Sequence, residues 1–134
     1  MEDCLFCKII KGEIPCYKVY EDENILAFLD VNAVAEGHTL IIPKTHYENV
    51  FDIPEETLAN ISKVAKKLSI LYKEKLNCEG INIINANGKS AHQSVFHFHM
   101  HLIPRKNNDG INLDFHGVSR TKEDLNKILE KIKN

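Results

Sequence analysis

The sequence predicts an α+β domain: an antiparallel five-stranded sheet with one long helix packed on it and a short C-terminal helix. Three observations predict it. Five short segments rich in β-branched and aromatic residues are bounded by turn residues. Residues 52–76 repeat their apolar positions every three or four residues. The 134 residues of the chain are the usual size of one domain.

The strands are predicted in chain order from their turn signals. YKVYEDE and NILAFLDV form a first hairpin around an acidic turn. GHTLIIPKTH begins a third strand at Gly37 that ends at Pro43, because proline has no N–H for a strand ladder. GINIINANG is expected to be a buried strand, and SVFHFHMHLIP is its hairpin partner across a longer loop.

The helices are predicted from apolar spacing and end signals. Asp52 and Glu55 have the spacing of a capping box, and Asn77 and Gly80 lie where the long helix should stop. A last helix begins near Thr121. The apolar residues are Leu58, Ile61, Ala65, Leu68, Tyr72 and Leu76 in the long helix, and Leu125, Ile128, Leu129 and Ile132 in the last. We place a domain at residues 3–105 and a C-terminal extension at residues 106–134.

Composition excludes several classes of protein. The net charge of −2 gives no basic field for long nucleic acid. No stretch approaches the ~18 apolar residues of a membrane span. The N-terminal segment lacks the pattern of a secretion signal, so we expect a cytoplasmic protein. Its four cysteines, Cys4, Cys7, Cys16 and Cys78, are then thiols or metal ligands rather than disulfides.

Three histidines alternate along the last predicted strand, at His97, His99 and His101. Alternate residues of a strand lie about 6.6 Å apart, and the outer two of this triplet about 13 Å. Zinc binds nitrogen at roughly 2.0–2.1 Å, so one ion cannot take all three from a straight strand. At least one of the three histidines must therefore have a role other than binding that ion. The alternative, three histidines on a solvated face, is disfavoured because such faces normally carry Thr, Lys and Glu.

A C-x-x-C pair, Cys4 and Cys7, offers partners for a metal. Two sulfurs and two imidazoles would complete a closed tetrahedral site, which leaves no position for a catalytic water and is therefore structural. Two alternatives remain open. The cysteines could be free thiols, or a redox pair, although no strand precedes them as in thioredoxin-like folds.

The other imidazoles suit chemistry at phosphorus. A neutral imidazole is a competent nucleophile at pH 7, and a second one can donate to the leaving group. Gln93, Ser94 and the N–H groups of their loop can donate to an anion. No carboxylate cluster indicates a magnesium site. These residues favour metal-independent transfer through a phospho-histidine.

QSVFHFHMHLIPR resembles the histidine-triad (HIT) signature, in which three alternating histidines follow Gln-Ser or Gln-Thr. CLFCKIIKGEIP and ENILAFLDVNAVAEGHTLIIPKTH resemble further blocks of that family, in the same order. The family comprises hydrolases and transferases that cleave nucleotides at the α-phosphate. The resemblance implies a purine phosphoramidate or dinucleoside polyphosphate as substrate, derived from adenosine or guanosine monophosphate, and a homodimer built on the long helix and a strand.

The resemblance also implies residue roles. His99 would be the nucleophile, His101 would contact the phosphate and the leaving group, and Gln93 and Ser94 would hold the α-phosphate. Members with an N-terminal C-x-x-C hold zinc, and the matching ligands are Cys4, Cys7, His46 and His97. The base and ribose pocket would comprise Phe6, Phe28, Leu29, Asp30 and Val31, with Asn87 as a further nucleotide contact. Phe6, Phe28 and Val31 could instead be core residues.

Two positions depart from the family pattern. His92 stands where many relatives have glycine. Ala86 stands where relatives often have Asn or Gln, and the neighbouring Asn87 would take over the role of that side chain. His38 and His116 receive no role and are expected to be structural or exposed. Two other functions remain open: a zinc metallohydrolase with the triplet as an open metal site, and a nucleotide-binding scaffold with little catalysis.

Overall fold

The computed structural model describes residues 3–134 and confirms the predicted fold class. Its elements are α1 (Leu5–Ile10), β1 (Lys18–Glu21), β2 (Ile25–Leu29), β3 (Thr39–Pro43), α2 (Glu55–Lys75), β4 (Gly80–Ile84), a 3-10 turn (Lys89–Ala91), β5 (Met100–Arg105) and α3 (Lys122–Lys133). The strands form one antiparallel sheet in the order β1-β2-β3-β5-β4. None of the helices in this range is long and apolar enough to cross a membrane.

Both sides of the sheet are buried at its centre. On β2, Ile25 and Ala27 face α2 and join the main core with residues such as Leu68. The alternate residues Leu26 and Phe28 join a second apolar cluster on the opposite side. This second side carries α1 and, as described below, the candidate site.

The long helix ends as predicted but begins differently. Asn77, just beyond the helix, has a positive φ of 56°, which stops it. The predicted capping box is wrong, because Pro54 occupies the N-cap and Asp52 lies two residues before it. The Asp52 carboxylate instead accepts hydrogen bonds from the N–H groups of Glu48 and Asn49, at 3.0 and 2.9 Å, and closes the preceding turn.

The second hairpin differs from its prediction in two details. β4 is half-buried rather than buried, because it lies at the sheet edge and pairs with β5 there; Ile83 is 54% exposed. β5 begins at Met100, so the first half of SVFHFHMHLIP precedes the regular strand. The residues that alternate with the histidines, Phe98, Met100 and Leu102, lie in the main core, whereas Phe96 is exposed.

The two ends of the chain add one unpredicted helix and confirm another. The six-residue α1 begins after Cys4, whose Sγ accepts a hydrogen bond from the Cys7 N–H. In the C-terminal extension, α3 begins after Thr121 as predicted, and the Thr121 hydroxyl accepts from the Asp124 N–H at 3.1 Å. Residues 114–134 are exposed throughout.

Candidate functional site

A cavity of about 410 Å³ opens between α1 and the sheet, on the side away from α2. This volume is within the usual range for small-molecule sites. An apolar wall faces a small number of polar groups, as is typical of such sites. The predicted site residues that line it are Phe6, Phe28, Leu29, Asp30, Val31, Ser94, His99 and His101.

His99 presents a bare nitrogen to this cavity. Its Nδ1 lies 2.9 Å from the carbonyl oxygen of His97. Because a carbonyl only accepts, Nδ1 must carry the proton, and Nε2 has a free lone pair. Burial lowers the pKa of His99, which keeps the ring neutral. The side chain of Asn85 donates to the His99 carbonyl at 2.9 Å and fixes the backbone at this point.

His101 carries its proton on the opposite nitrogen. The Val34 N–H donates to Nδ1 of His38 at 3.1 Å, so the proton of neutral His38 lies on Nε2. That Nε2 lies 2.9 Å from Nδ1 of His101 and donates to it. His101 therefore keeps its own proton on Nε2. Burial, with repulsion from His99 and His38, lowers the pKa of His101 to about 4.

His38 had no functional role in the sequence prediction. It is 4% exposed and stands beside the site because β3 pairs with β5, with Leu40 opposite His101. The signal that could have found it is the pairing of these two strands. No spacing along the chain relates residue 38 to residue 101.

Asp30, His38 and His101 also form a cluster whose possible ligand atoms lie within 4.8 Å of one another. A metal would need the lone pair of His38 Nε2. That lone pair is absent while Nδ1 accepts from Val34, unless the ring becomes an anionic imidazolate. Burial lowers the pKa of His38, so its 3.6 Å contact with Asp30 is not an ion pair at neutral pH. His38 and His101 are therefore a hydrogen-bonded pair beside Asp30 rather than a metal centre.

Cys4, Cys7, His46 and His97 form a second cluster, whose possible ligand atoms also lie within 4.8 Å of one another. Nδ1 of His97 lies 3.4 Å from Cys4 Sγ, 3.6 Å from Cys7 Sγ and 3.1 Å from Nδ1 of His46. Cys7 Sγ lies 3.4 Å from Nδ1 of His46. A tetrahedral zinc with these ligands has edges of roughly 3.3–3.8 Å between ligand atoms. The three distances that involve sulfur lie in this range and the distance between the two nitrogens lies just below it, so a small separation of the imidazoles would let the four side chains hold such an ion.

The tautomer of His97 agrees with metal binding. Its Nε2 lies 2.8 Å from the Pro43 carbonyl and must donate to it. Nδ1 is therefore bare and faces the cysteines. Burial, together with repulsion from His46 and His99, lowers the pKa of His97 to about 4, and a neutral ring is the form that binds metals. A ligand histidine whose other N–H donates to a carbonyl is the usual arrangement at zinc.

Two predicted nucleotide contacts, Gln93 and Asn87, lie outside the cavity wall. The Gln93 amide donates to the carbonyls of Glu48 and Val95, at 2.7 and 3.0 Å, and accepts from the Gly88 N–H at 2.8 Å. The Asn87 side chain accepts from the Val50 N–H at 2.7 Å. Both side chains position the loop before the triad, and their contact with phosphate stays a prediction.

A family model described as the HIT domain matches residues 11–108, most of the chain. The protein belongs to the HIT family. It is 42% identical over 135 residues to the adenosine 5′-monophosphoramidase of Candida albicans, across 97% of this chain and 89% of that one. This membership confirms the predicted family, and the hydrolase name of the relative agrees with the predicted class of enzyme.

Two solved HIT structures resemble the chain closely. A HIT family protein from Bacillus anthracis has a TM-score of 0.90 and 45% identity, and the match covers 98% of this chain and 96% of that one. A histidine-triad protein from Mycobacterium smegmatis, described as Zn-bound, has a TM-score of 0.79 and 38% identity, with coverage of 98% and 96%. Both matches confirm the predicted fold.

The structure brings most of the predicted HIT residues to two neighbouring places. The cavity holds eight of the predicted nucleotide-site residues, and the four predicted zinc ligands converge beside it. Phe6 and Phe28 are buried in the second apolar cluster and also line the cavity, so the core and pocket interpretations both apply to them. Val31 is 78% exposed and is not a core residue.

His92, with φ of 66°, adopts the left-handed conformation that favours glycine, and it is exposed.

Proposed function

We propose that this HIT protein hydrolyses nucleotides at the α-phosphate through a covalent nucleotidyl-His99 intermediate. The observation that carries the proposal is the bare Nε2 of His99 in the cavity, fixed by the hydrogen bond from its Nδ1 to the His97 carbonyl. The name of the Candida albicans relative supports an adenosine 5′-phosphoramidate as substrate. A dinucleoside polyphosphate is the alternative substrate. The cavity residues are assigned to the nucleotide part of the substrate, and they do not determine its leaving group.

In the first step, Nε2 of His99 attacks the α-phosphorus and the bond from phosphorus to the leaving atom breaks. The ring becomes a phosphorylated imidazolium, whose Nδ1–H is stabilised by the His97 carbonyl. His101 presents its Nε2–H as a hydrogen bond to a phosphoryl oxygen or to the leaving atom, where it stabilises the developing negative charge, and the leaving atom takes its proton from solvent. The His38 contact keeps the His101 proton on the correct nitrogen.

In the second step, water attacks the nucleotidyl group and releases His99. The bond from phosphorus to Nε2 of His99 breaks, and the proton of the incoming water passes to solvent. The two steps need no metal at phosphorus, because neutral imidazoles supply both the nucleophile and the hydrogen-bond donor that stabilises the phosphoryl charge.

We assign the nucleotide to the cavity in the orientation that the predicted residues suggest. The apolar wall at Phe6, Phe28 and Val31 suits a purine base. Asp30 lies at the same wall, where its Oδ1 accepts from the Asn32 N–H at 2.9 Å, and its second oxygen suits the ribose hydroxyls. The exposed hydroxyl of Ser94 suits the phosphate.

We further propose that Cys4, Cys7, His46 and His97 hold a structural zinc. Four protein ligands fill the tetrahedron, so zinc bound there supplies cross-linking rather than a reactive water. The ion would tie α1 to the loop after β3 and to the triad segment. Exchange of zinc for cadmium should therefore leave the turnover rate nearly unchanged, whereas a metallohydrolase would change its rate severalfold.

A homodimer remains part of the proposal. Exposed apolar residues stand on α2 and on the edge strand β4, namely Ile70, Leu71 and Ile83. Exposed apolar side chains on these two elements favour association. Ile83→Lys should lower the molar mass measured by light scattering to that of one chain, and an unchanged mass would place the interface elsewhere.

The experiment that tests the function compares wild type, His99→Ala and His116→Ala on adenosine 5′-phosphoramidate and on diadenosine polyphosphates. We expect His99→Ala to abolish turnover while AMP still binds, since the rest of the cavity is intact. His116 is an exposed histidine of the extension, and its replacement should leave the rate unchanged. Hydrolysis by His99→Ala at the wild-type rate would refute the mechanism. Binding of AMP without turnover by wild type would favour the scaffold.

A further inference from the structure

The short helix α1 takes part in both the metal cluster and the nucleotide cavity. Cys4 precedes it and Cys7 lies in its first turn, and both thiols face the two histidines of the cluster. Leu5, Phe6 and Ile9 of the same helix line the cavity. A helix of six residues is far below the length that is stable in isolation. Its position therefore depends on what its two sides contact.

Phe6 connects the two sites directly. Its ring lies edge-on to the rings of His97, His99 and Phe28, with centroid distances of 5.8, 5.2 and 5.7 Å. His97 belongs to the metal cluster, and His99 and Phe28 belong to the cavity. Phe6 is 3% exposed, so it has little room to move without disturbing these neighbours.

The main core does not include α1. The residues of α2 pack on the other side of the sheet, in a cluster that contains neither the cysteines Cys4 and Cys7 nor Phe6. Loss of the cross-link at the metal cluster should therefore loosen α1 and its cavity wall while the α2 side keeps its packing. Without the metal, nucleotide binding would have to order this wall, and that ordering would lower the affinity. With the metal bound, the wall is already ordered and the nucleotide does not bear this cost.

We propose that metal bound at Cys4, Cys7, His46 and His97 raises the affinity of the cavity for nucleotide, with Phe6 as the residue that couples the two sites. The inference rests on the proposed nucleotide site and zinc site. Because binding free energies are reciprocal, AMP must raise the metal affinity by the same factor by which the metal raises the AMP affinity.

The test measures AMP binding by calorimetry to the zinc-loaded protein and to protein stripped with a chelator, with circular dichroism as the check on folding. We expect AMP to bind about tenfold more weakly to the stripped protein. Zinc should bind about tenfold more tightly in saturating AMP, by the same linkage. Equal AMP affinity in the two folded forms would overturn the coupling while leaving the proposed function intact. Failure of AMP to bind either form would overturn both.

Two variants test the role of Phe6. Phe6→Leu keeps an apolar side chain but removes the ring edges, and it should bring the ratio of the two AMP affinities close to one. Val31→Ala is the matched control, because Val31 lines the cavity but is largely exposed. It should weaken AMP equally with and without zinc and leave the ratio unchanged. An unchanged ratio in Phe6→Leu would overturn the assignment to Phe6.

A second measurement applies if the stripped protein unfolds. The protein is loaded with ¹¹³Cd, and its cadmium resonance is recorded as AMP is added. We expect the resonance to shift with AMP, because Phe6 touches a ligand of the metal and the base pocket at once. A resonance that AMP leaves unmoved, at concentrations that saturate the cavity, would overturn the proposal.

Discussion

Nε2 of His38 lies 2.9 Å from Nδ1 of His101, and this contact decides which nitrogen of His101 carries a proton. The chain of donors begins at the Val34 N–H, passes through both rings and ends at Nε2 of His101. His38 thus acts through its neighbour and is a positioning residue. The three triad histidines and His38 all remain neutral, because burial lowers the pKa of each.

Replacement of His38 should slow turnover without removing nucleotide binding. In His38→Ala, either nitrogen of His101 can carry the proton, so only part of the protein has the productive form. We expect kcat to fall by about 10- to 100-fold, as is typical when an orienting partner is lost. The measurement is steady-state kinetics on an adenosine phosphoramidate, with AMP affinity by calorimetry.

The control for this prediction is a direct measurement of which nitrogen of His101 carries the proton. ¹⁵N NMR of the imidazoles should show the proton of His101 on Nε2 in wild type and on both nitrogens in His38→Ala. His38→Gln keeps an amide donor and an acceptor oxygen, so it should recover part of the rate. A fall in rate with an unchanged His101 spectrum would contradict the positioning role.

The buried histidines should make the protein less stable in acid. The pKa of His101 is about 4 in the folded chain, against about 6.5 in an unfolded one. Between these values the unfolded state binds more protons than the folded state, so the free energy of unfolding falls as the pH falls from about 6.5 to about 4. Urea titrations at a series of pH values should show this decline.

His101→Asn tests the contribution of this residue, because asparagine does not titrate in that range. The variant should lose less stability than wild type between pH 6.5 and pH 4. His116→Asn, which replaces an exposed histidine, should follow the wild-type curve. If the free energy of unfolding changes with pH equally in His101→Asn and wild type, the pKa of His101 is not lowered by folding.

The sequence predicted much of the fold because its periodic signals are local. The apolar period of α2 and the alternation of Phe98, Met100 and Leu102 both correspond to buried faces. Turn residues such as Asn77 marked element ends correctly. The failures are at Asp52, where Pro54 displaces the expected cap, and at β4, whose edge position depends on strand order rather than on its own composition.

The candidate site was predictable where the residues carry a motif. Cys4 and His97 lie 93 residues apart along the chain. Thiolate and imidazole are both preferred ligands of zinc, but the resemblance to the HIT family is what assigned His97 rather than another histidine to the cysteines. The role of His38 could not be found in this way, because it arises from the pairing of β3 with β5. The engagement of Gln93 with the carbonyl of Glu48 likewise depends on tertiary contact.

The main core should dominate the stability of the chain. Leu68 of α2 is 2% exposed, and Leu68→Ala should lower the free energy of unfolding by about 2–5 kcal/mol through lost burial and the cavity it leaves. Leu125→Ala makes the same change in α3, where the side chain is 57% exposed. Its effect should stay within about 0.5 kcal/mol. Similar losses in both variants, measured by urea denaturation, would mean that α3 is buried in solution.

Gly37 should be far less tolerant of a side chain than Gly12, although the two glycines have similar positive φ angles. Their φ angles are +87° and +82°, so alanine is strained at both, by roughly 1–2 kcal/mol. At Gly37 an added Cβ would also lie 2.5 Å from Cδ1 of Leu76 and 3.2 Å from Cγ of Pro104, whereas at Gly12 it would meet nothing within 4 Å. The Leu76 methyl can rotate away, but the Pro104 ring has little freedom.

We therefore expect Gly37→Ala to lower the free energy of unfolding by about 1–3 kcal/mol more than Gly12→Ala does, the usual cost of overpacking. Urea denaturation of the two variants compares the effect of the clash, because both variants carry a side chain at a similar positive φ. Gly37→Ala should also lower turnover, since residue 37 directly precedes His38 and sets its approach to His101. Equal stability losses would show that Leu76 yields without cost, and the turnover effect would then report on the backbone at His38 alone.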